Sequence, residues 1–387
     1  MTDTRVACRR ERAWRLVALC VASLLTVAPA RMRAQSAQAL IDSAAQARAS
    51  FRAAGQAATA RETLPHLLRA ARAWPTQPAY WTAAARMGAR ASDTGVVIEA
   101  LNALAEMHGG ASLLSDTAVG RLAKAPPVDR ALARVANNSA TLASGRVVGT
   151  LTDSTVFAEG IDADPRTDAL YVAGIRHGTI YEIRPTGGVR DLNVSRAPRI
   201  GAILGVRVAR DGRTLYATTG GLAMMTGYSA ADSSLAAIVR VRIDDGAVEA
   251  RWDIPVDGAR HLLGDLAIAE DGTVYASDSF APVIYRLRTH ADSLEQIRHP
   301  LFRSLQGVAV LPGGAQLIVA DYSHGLLRVD LSTNQVTRIV DAPGTTSLGI
   351  DGIIWHDGEI IAVQNGIEPA RVARFVLDAA RERVLRV

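Results

Sequence analysis

The sequence predicts a mainly β chain: a β-propeller with five visible blades, preceded by a small α-helical region. Three observations predict it. From Arg146 onward, short runs rich in Val, Ile, Leu and Tyr alternate with Gly and Asp turns. Those runs repeat. Glu159-Gly160 leads to Leu170-Tyr171-Val172, Leu204-Gly205 to Leu215-Tyr216-Ala217, Gly264-Asp265 to Val274-Tyr275-Ala276, Gln306-Gly307 to Leu317-Ile318-Val319, and Asp351-Gly352 to Ile360-Ile361-Ala362. The second residue of each leading pair falls at 160, 205, 265, 307 and 352, at intervals of 45, 60, 42 and 45. Four short strands in a period of about 40–50 residues are the mark of a propeller blade.

Residues 1–34 read as a secretory signal, so the chain is expected to be exported, to the periplasm or the exterior. Arg5, Arg9, Arg10, Arg12 and Arg15 precede an apolar run, Leu16 to Ala30, whose 15 residues fall short of the ~20 needed to span a bilayer. An uncleaved anchor is the alternative. The chain of 387 residues carries a net charge of +5, but the leader alone holds seven Arg and two acids, leaving 36 basic and 36 acidic residues. That balance excludes a nucleic-acid footprint and a lasting anionic-membrane surface. Both cysteines, Cys8 and Cys20, lie in the leader, so the mature chain has no disulfide, thiolate nucleophile or Cys-type metal site.

Residues 36–124 are rich in Ala, Arg and Leu. Leu64, Leu67, Leu68 and Ala71 follow helical spacing; Trp81, Ala84 and Ala85 begin a second face; Val97, Ile98, Leu101 and Leu104 make a third, stopped by Gly109-Gly110. Pro75 and Pro78 separate the helices. The helix pairs resemble tetratricopeptide units over about two repeats. They predict either a docking surface for a protein partner or, since arrays want three or more repeats, a cap on the next domain. Pro126-Pro127 marks the expected boundary, with a linker over 125–145 and the propeller over 146–387.

Within each β unit the first strand ends in an Asp-Gly-type turn suited to a tight hairpin. Third strands follow at Thr179 to Ile183, Val283 to Leu287 and Leu326 to Asp330. A sixth unit would begin near residue ~397 by the period, past the last residue, Val387. Gly145 to Leu151 could close a five-bladed ring with one strand; otherwise the architecture is six-bladed with most of its last blade missing and two open edges.

Glu159-Gly160, the Asp-Gly turns, Tyr275-Ala-Ser-Asp-Ser279, Asp351-Gly352-Ile353 and Ile361-Ala-Val-Gln-Asn-Gly366 resemble the senescence-marker-protein/gluconolactonase family, which includes regucalcin. The resemblance covers residues 157–387. It implies a six-bladed propeller that holds a divalent cation in its channel and hydrolyses a sugar lactone. It implies metal ligands at Glu159 and Asp351, with Asp351 as the general base. The family's two Asn ligands fall on Gln306, which keeps an amide oxygen, and on Gly264, which has no side chain; Asp265 is the neighbour that could substitute.

The residues themselves agree on placement. First strands line the axis of a propeller, so Glu159, Gln306 and Asp351 should converge from separate blades. Asp278, Asp321 and Asn365 end second strands and should ring the same mouth. Oxygen-only ligands with net negative charge suit Ca²⁺ first, with Mg²⁺ or Zn²⁺ as alternatives. Such an ion would polarise a lactone or ester carbonyl, with Asp351 or Asp265 taking the proton. His177 and His324 occupy equivalent turns, as structural residues or ligand contacts at the mouth; His261 and His356 read as surface or strand-turn residues. Gly220 to Ser234, with Met224, Met225 and Tyr228, is an insertion expected at the mouth, where it either covers a ligand or forms a surface excursion. Set against the metal-assisted hydrolase are a non-catalytic propeller that binds a small ligand or protein and a degraded homologue with little activity.

Overall fold

The computed structural model describes residues 38–39, 41–142 and 145–387. The expected signal segment and both cysteines lie outside the described residues. No helix among the described residues is long and apolar enough to cross a membrane.

The N-terminal region is helical, as its spacing predicts: α1 over 41–54, α2 (Ala60–Ala73), α3 (Pro78–Arg90), α4 (Thr94–Glu106), α5 (Thr117–Leu122) and α6 (Pro126–Asn138). Thr59 and Glu62 form a reciprocal capping box at α2, and Asp93 accepts from the Val96 N–H at α4. Leu64, Leu67, Ala71, Trp81, Ala84, Val97, Leu101 and Leu104 bury into one core, which also takes Val128, Ala131 and Val135 of α6. The helix α6 corrects the expected linker. Pro126-Pro127 opens a helix because its first turn needs no N–H from those residues, so the same dipeptide that ends one element starts the next.

The helical region docks on the propeller. Trp74 packs with Ala44, Ala47 and Leu348. The Arg338 guanidinium lies 5.2 Å over the Trp74 ring, and Arg48 Nη1 approaches His324 Nε2 at 3.4 Å. These contacts make the region a cap on the fourth and fifth blades.

Five four-stranded antiparallel sheets follow, each a meander in chain order. Blade 1 comprises β1 (Ala158–Ala163), β2 (Leu170–Gly174), β3 (Thr179–Ile183) and β4 (Val189–Asp191). Blade 2 comprises β5 (Ala202–Val208), β6 (Thr214–Gly220), β7 (Ala236–Arg242) and β8 (Val248–Asp253). Blade 3 comprises β9 (Leu263–Ile268), β10 (Val274–Asp278), β11 (Val283–Leu287) and β12 (Glu295–Arg298). Blade 4 comprises β13 (Leu305–Val310), β14 (Gln316–Asp321), β15 (Gly325–Asp330) and β16 (Val336–Arg338). Blade 5 comprises β17 (Ile350–His356), β18 (Glu359–Gln364), β19 (Arg371–Leu377) and β20 (Val384–Arg386). The Asp-Gly turns behave as expected: at Asp357-Gly358 both residues take positive φ, 48° and 86°, between His356 and Glu359.

The repeated pair at the head of each unit is a β-bulge. Register shifts fall between Ala158 and Ile161, Ile203 and Val206, Leu305 and Val308, and Ile350 and Gly352, and opposite Ala276 and Asp278 in blade 3. The bulge re-aims Glu159, Leu204, Gln306 and Asp351 toward the axis, where blade 3 offers only Gly264, and in blades 1, 2 and 4 it leaves the next residue against the following blade. Glycine there lets two backbones meet. A Cβ on Gly160 would lie 2.4 Å from Leu204 O, one on Gly205 3.0 Å from Asp265 Cα, and one on Gly307 2.5 Å from Ile353 N. A Cβ on Gly352 would meet nothing within 4 Å.

That last glycine marks the break in the ring. Inner strand β1 packs on β5, β5 on β9, β9 on β13 and β13 on β17, with no comparable packing of β17 on β1. The segment 145–151 does not close it: it forms no strand. Leu151 instead packs with Val156, Val172, Tyr181 and Ile183 over blade 1. Five blades therefore curve around the axis and leave a wedge between the fifth and the first.

Candidate active site

The five bulges surround an axial cavity of about 440 Å³, lined by Glu159, Asp162, Arg207, Asp265, Gln306 and Asp351 among others. The size suits a small organic ligand. Glu159, Gln306, Asp351 and Asp265 thus reach one cavity from four blades. Asp162 and Arg207, two residues past the glycines of their bulges, also line it; the two-residue alternation of a strand was the signal that could have found them.

Asp265 is committed to the wall. Its carboxylate accepts from Arg207 Nη2 at 3.0 Å and from the Leu266 N–H at 2.8 Å. Burial pushes this carboxyl up and the Arg207 charge opposes the rise. Asp162 behaves likewise: burial raises it, while Arg207 and the Val208 N–H hold it down. Glu159 differs. It keeps solvent contact along the cavity, yet the crowding of protein atoms around it, with the charges of Asp351 and Asp265, pushes its carboxyl up to about 7. No Arg or Lys pairs with Glu159 or Asp351 among the described residues.

Asp351 is oriented from outside the cavity: Asn365 Nδ2 donates to Asp351 Oδ2 at 2.6 Å, and Tyr322 Oη donates to Asn365 Oδ1 at 3.2 Å. Asn365, expected at the mouth, lines the hollow beneath the helical cap and not the axial cavity, and reaches that cavity only through its bond to Asp351. Gln306 Oε1 accepts from Ser279 Oγ at 3.2 Å. A Cβ on Gly264 would fall 2.7 Å from the same Ser279 Oγ, so Ser279 occupies the space an Asn side chain would need there.

Asp278 and Asp321 are not at the mouth. Both are fully buried, and each ties the loop entering a first strand to the turn leaving the second. Asp278 accepts from the N–H groups of Leu262, Phe280 and Ala281; Asp321 accepts from those of Arg303, Ser304, Ser323 and His324. Four N–H groups that converge on one buried carboxylate need it as an acceptor more than a ligand does. His324 is buried too, its Nδ1 2.7 Å from Leu301 O. His177 sits against Asp153, 3.1 Å away, off the axial cavity. The insertion bearing Tyr228 turns toward blade 1, where the Thr226 N–H donates to Arg176 O at 2.8 Å, and Tyr228 does not line the axial cavity. His261, read from sequence as a surface or strand-turn residue, lies in the loop entering β9, largely enclosed, and bridges Asp278 at 2.6 Å and Asp257 at 2.9 Å.

Among the described residues no three His, Cys, Asp or Glu side chains gather closely enough to hold a metal ion by themselves. Glu159 and Asp351 with Gln306 supply two carboxylates and an amide oxygen. A larger hollow of about 690 Å³ between the helical cap and blade 5 has Glu368 as its one carboxylate among the described residues.

No family model and no curated protein matches the chain. Solved structures do. A gluconolactonase from Xanthomonas campestris matches at 16% identity over 59% of this chain and 75% of that one, with a TM-score of 0.42. A virginiamycin B lyase from Staphylococcus aureus matches at 13% over 60% and 73%, with a TM-score of 0.41. A Bacteroides caccae protein of unknown function matches at 12% over 59% and 80%, with a TM-score of 0.42. At these identities and TM-scores nothing about this chain is argued from the likeness; its own sheets and helices make it a β-propeller with a helical N-terminal region.

Proposed function

We propose that the axial cavity hydrolyses a lactone or ester with the help of a divalent cation. The observation that carries this reading is the convergence of Glu159, Gln306 and Asp351, from three blades, on one cavity in which two of the three are carboxylates without an ion-pair partner among the described residues. Unpaired acids that repel one another leave a place for a hard cation, and oxygen-only donors suit Ca²⁺ before Mg²⁺ or Zn²⁺. When bound, such an ion polarises the carbonyl of the substrate and acidifies a water. Asp351, held in orientation by Asn365, is the proton acceptor. Asp265 is less suited to that task, since Arg207 and a backbone N–H already occupy its oxygens. Its role is to keep the Arg207 charge fixed at the wall. Export of the mature chain and a protein partner on the helical region remain part of the proposal.

The test is metal content of the purified chain together with lactone hydrolysis with and without added Ca²⁺. Glu159→Gln and Asp351→Asn should each remove hydrolysis while the fold persists. A second reading, binding without turnover, is favoured by Gly264, where no donor completes the ligand set. It predicts a bound ligand that survives both substitutions.

A further inference from the structure

The cavity is not a closed polar channel. Its two sides that flank the open wedge are apolar: Ile161 and Leu170 on blade 1 face Ile354, Ile361 and Val363 on blade 5. In a closed propeller such side chains would pack blade against blade. Here Ile161 is 54% exposed, Ile354 47% and Val363 48%. They are neighbours on their sheets, not scattered: Ile354 pairs with Ile361, and Gly352 with Val363. Gly352 adds nothing between them, so the apolar wall runs directly from the Asp351 bulge to the rim.

The geometry points to a substrate that carries an apolar arm: a lactone or ester whose polar ring sits at Glu159 and Asp351 and whose alkyl or aryl substituent lies radially in the wedge between blades 5 and 1. This rests on the proposed hydrolase reading and names its substrate class. The argument is one of matched surfaces. A polyhydroxylated sugar lactone would place hydroxyl groups against Ile161, Leu170, Ile354, Ile361 and Val363, which can satisfy none of them. An alkyl arm there removes half-exposed aliphatic surface on both walls from water, and each methylene buried should raise affinity about two- to fourfold. The continuity of acid floor and apolar walls in one cavity of about 440 Å³ is what selects a small amphiphile over a protein segment.

The experiment uses the purified chain and two homologous series: γ-lactones with side chains from none to six carbons, and the corresponding lactams, which bind but resist hydrolysis. Lactam affinity is read by calorimetry and lactone turnover by kcat/KM. Both should climb with each methylene, and both slopes should flatten in Ile354→Thr/Val363→Thr, while Val256→Thr, outside the cavity, leaves them intact. A flat series in the unaltered chain, a slope that survives the double substitution, or no lactam binding at any length would each overturn the assignment. Lactams that bind with a rising slope while no lactone is hydrolysed would uphold the apolar arm and sink the hydrolase. Short lactones hydrolysed without any gain from length would do the reverse.

Discussion

Alanine at Gly307 and alanine at Gly352 are the same chemical change at equivalent positions of two blades, and the structure predicts opposite results. At Gly307 the new Cβ would lie 2.5 Å from Ile353 N and 2.9 Å from both Asp351 O and Gly352 C. All three are backbone atoms of the next blade's inner strand, so no side chain can rotate away. Blades 4 and 5 must separate, at a cost of about 3 kcal/mol or more, the upper end for overpacking. At Gly352 the Cβ enters the open wedge, with nothing within 4 Å. There the substitution restricts only the unfolded chain and should stabilise by about 0.4–1 kcal/mol. Urea unfolding of the two variants, with unchanged m-values, should therefore place their stabilities about 3–4 kcal/mol apart. An equal loss in both would mean that blade 5 is covered as fully as blade 4, and the open wedge would have to be abandoned.

Other outcomes follow from the same contacts. Asp321→Ala strips the acceptor from four N–H groups, one buried and three partly buried, and should cost about 3 kcal/mol in urea unfolding, with Asp321→Asn losing less. The native Glu159 carboxyl holds its proton up to about 7, against 4.5 ordinarily. Metal-free protein in chelator should thus lose stability as pH rises from about 4.5 to 7, and Glu159→Gln should remove that slope of Tm against pH. Burial opposes the charge on His261, but its hydrogen bonds to Asp257 and Asp278 raise its pKa above 6.5. Its stabilisation is complete below 6.5 and lost as pH climbs through the raised value, so His261→Gln should lower Tm more at pH 6 than at pH 9. Trp74→Ala empties the joint between the helical cap and blades 4 and 5 and should cost about 3–5 kcal/mol; limited proteolysis between residues 139 and 157 should accelerate.

Much of this was legible in the residues before any coordinates. The Gly column at 160, 205, 307 and 352 and the Asp-Gly turns recur because each blade must solve the same local problems, a tight hairpin and a close approach of backbones, and local problems leave local signatures. Glu159, Gln306 and Asp351 share a column for the same reason, which is why their meeting on the axis could be read from spacing. Helical faces such as Leu64, Leu67 and Ala71 were readable from period alone. The boundary at Pro126-Pro127 was not, because proline is as good at opening a helix as at ending one.

What spacing could not decide was the fate of each polar side chain once the blades were in place. Asp278 and Asp321 end second strands just as a mouth residue would, yet the fold turns both inward to satisfy backbone N–H groups supplied by a different loop. Asp265 is captured by Arg207, 58 residues earlier in the chain. The open side of the ring is likewise a property of the assembled sheets: Gly352 repeats the motif of its predecessors, and only the packing shows that, among the described residues, no strand lies against it. Strand period and turn chemistry act over a few residues and are written in order along the chain. Burial, pairing and the width of a cavity depend on which distant segments arrive beside a residue, and that is settled only when the blades pack.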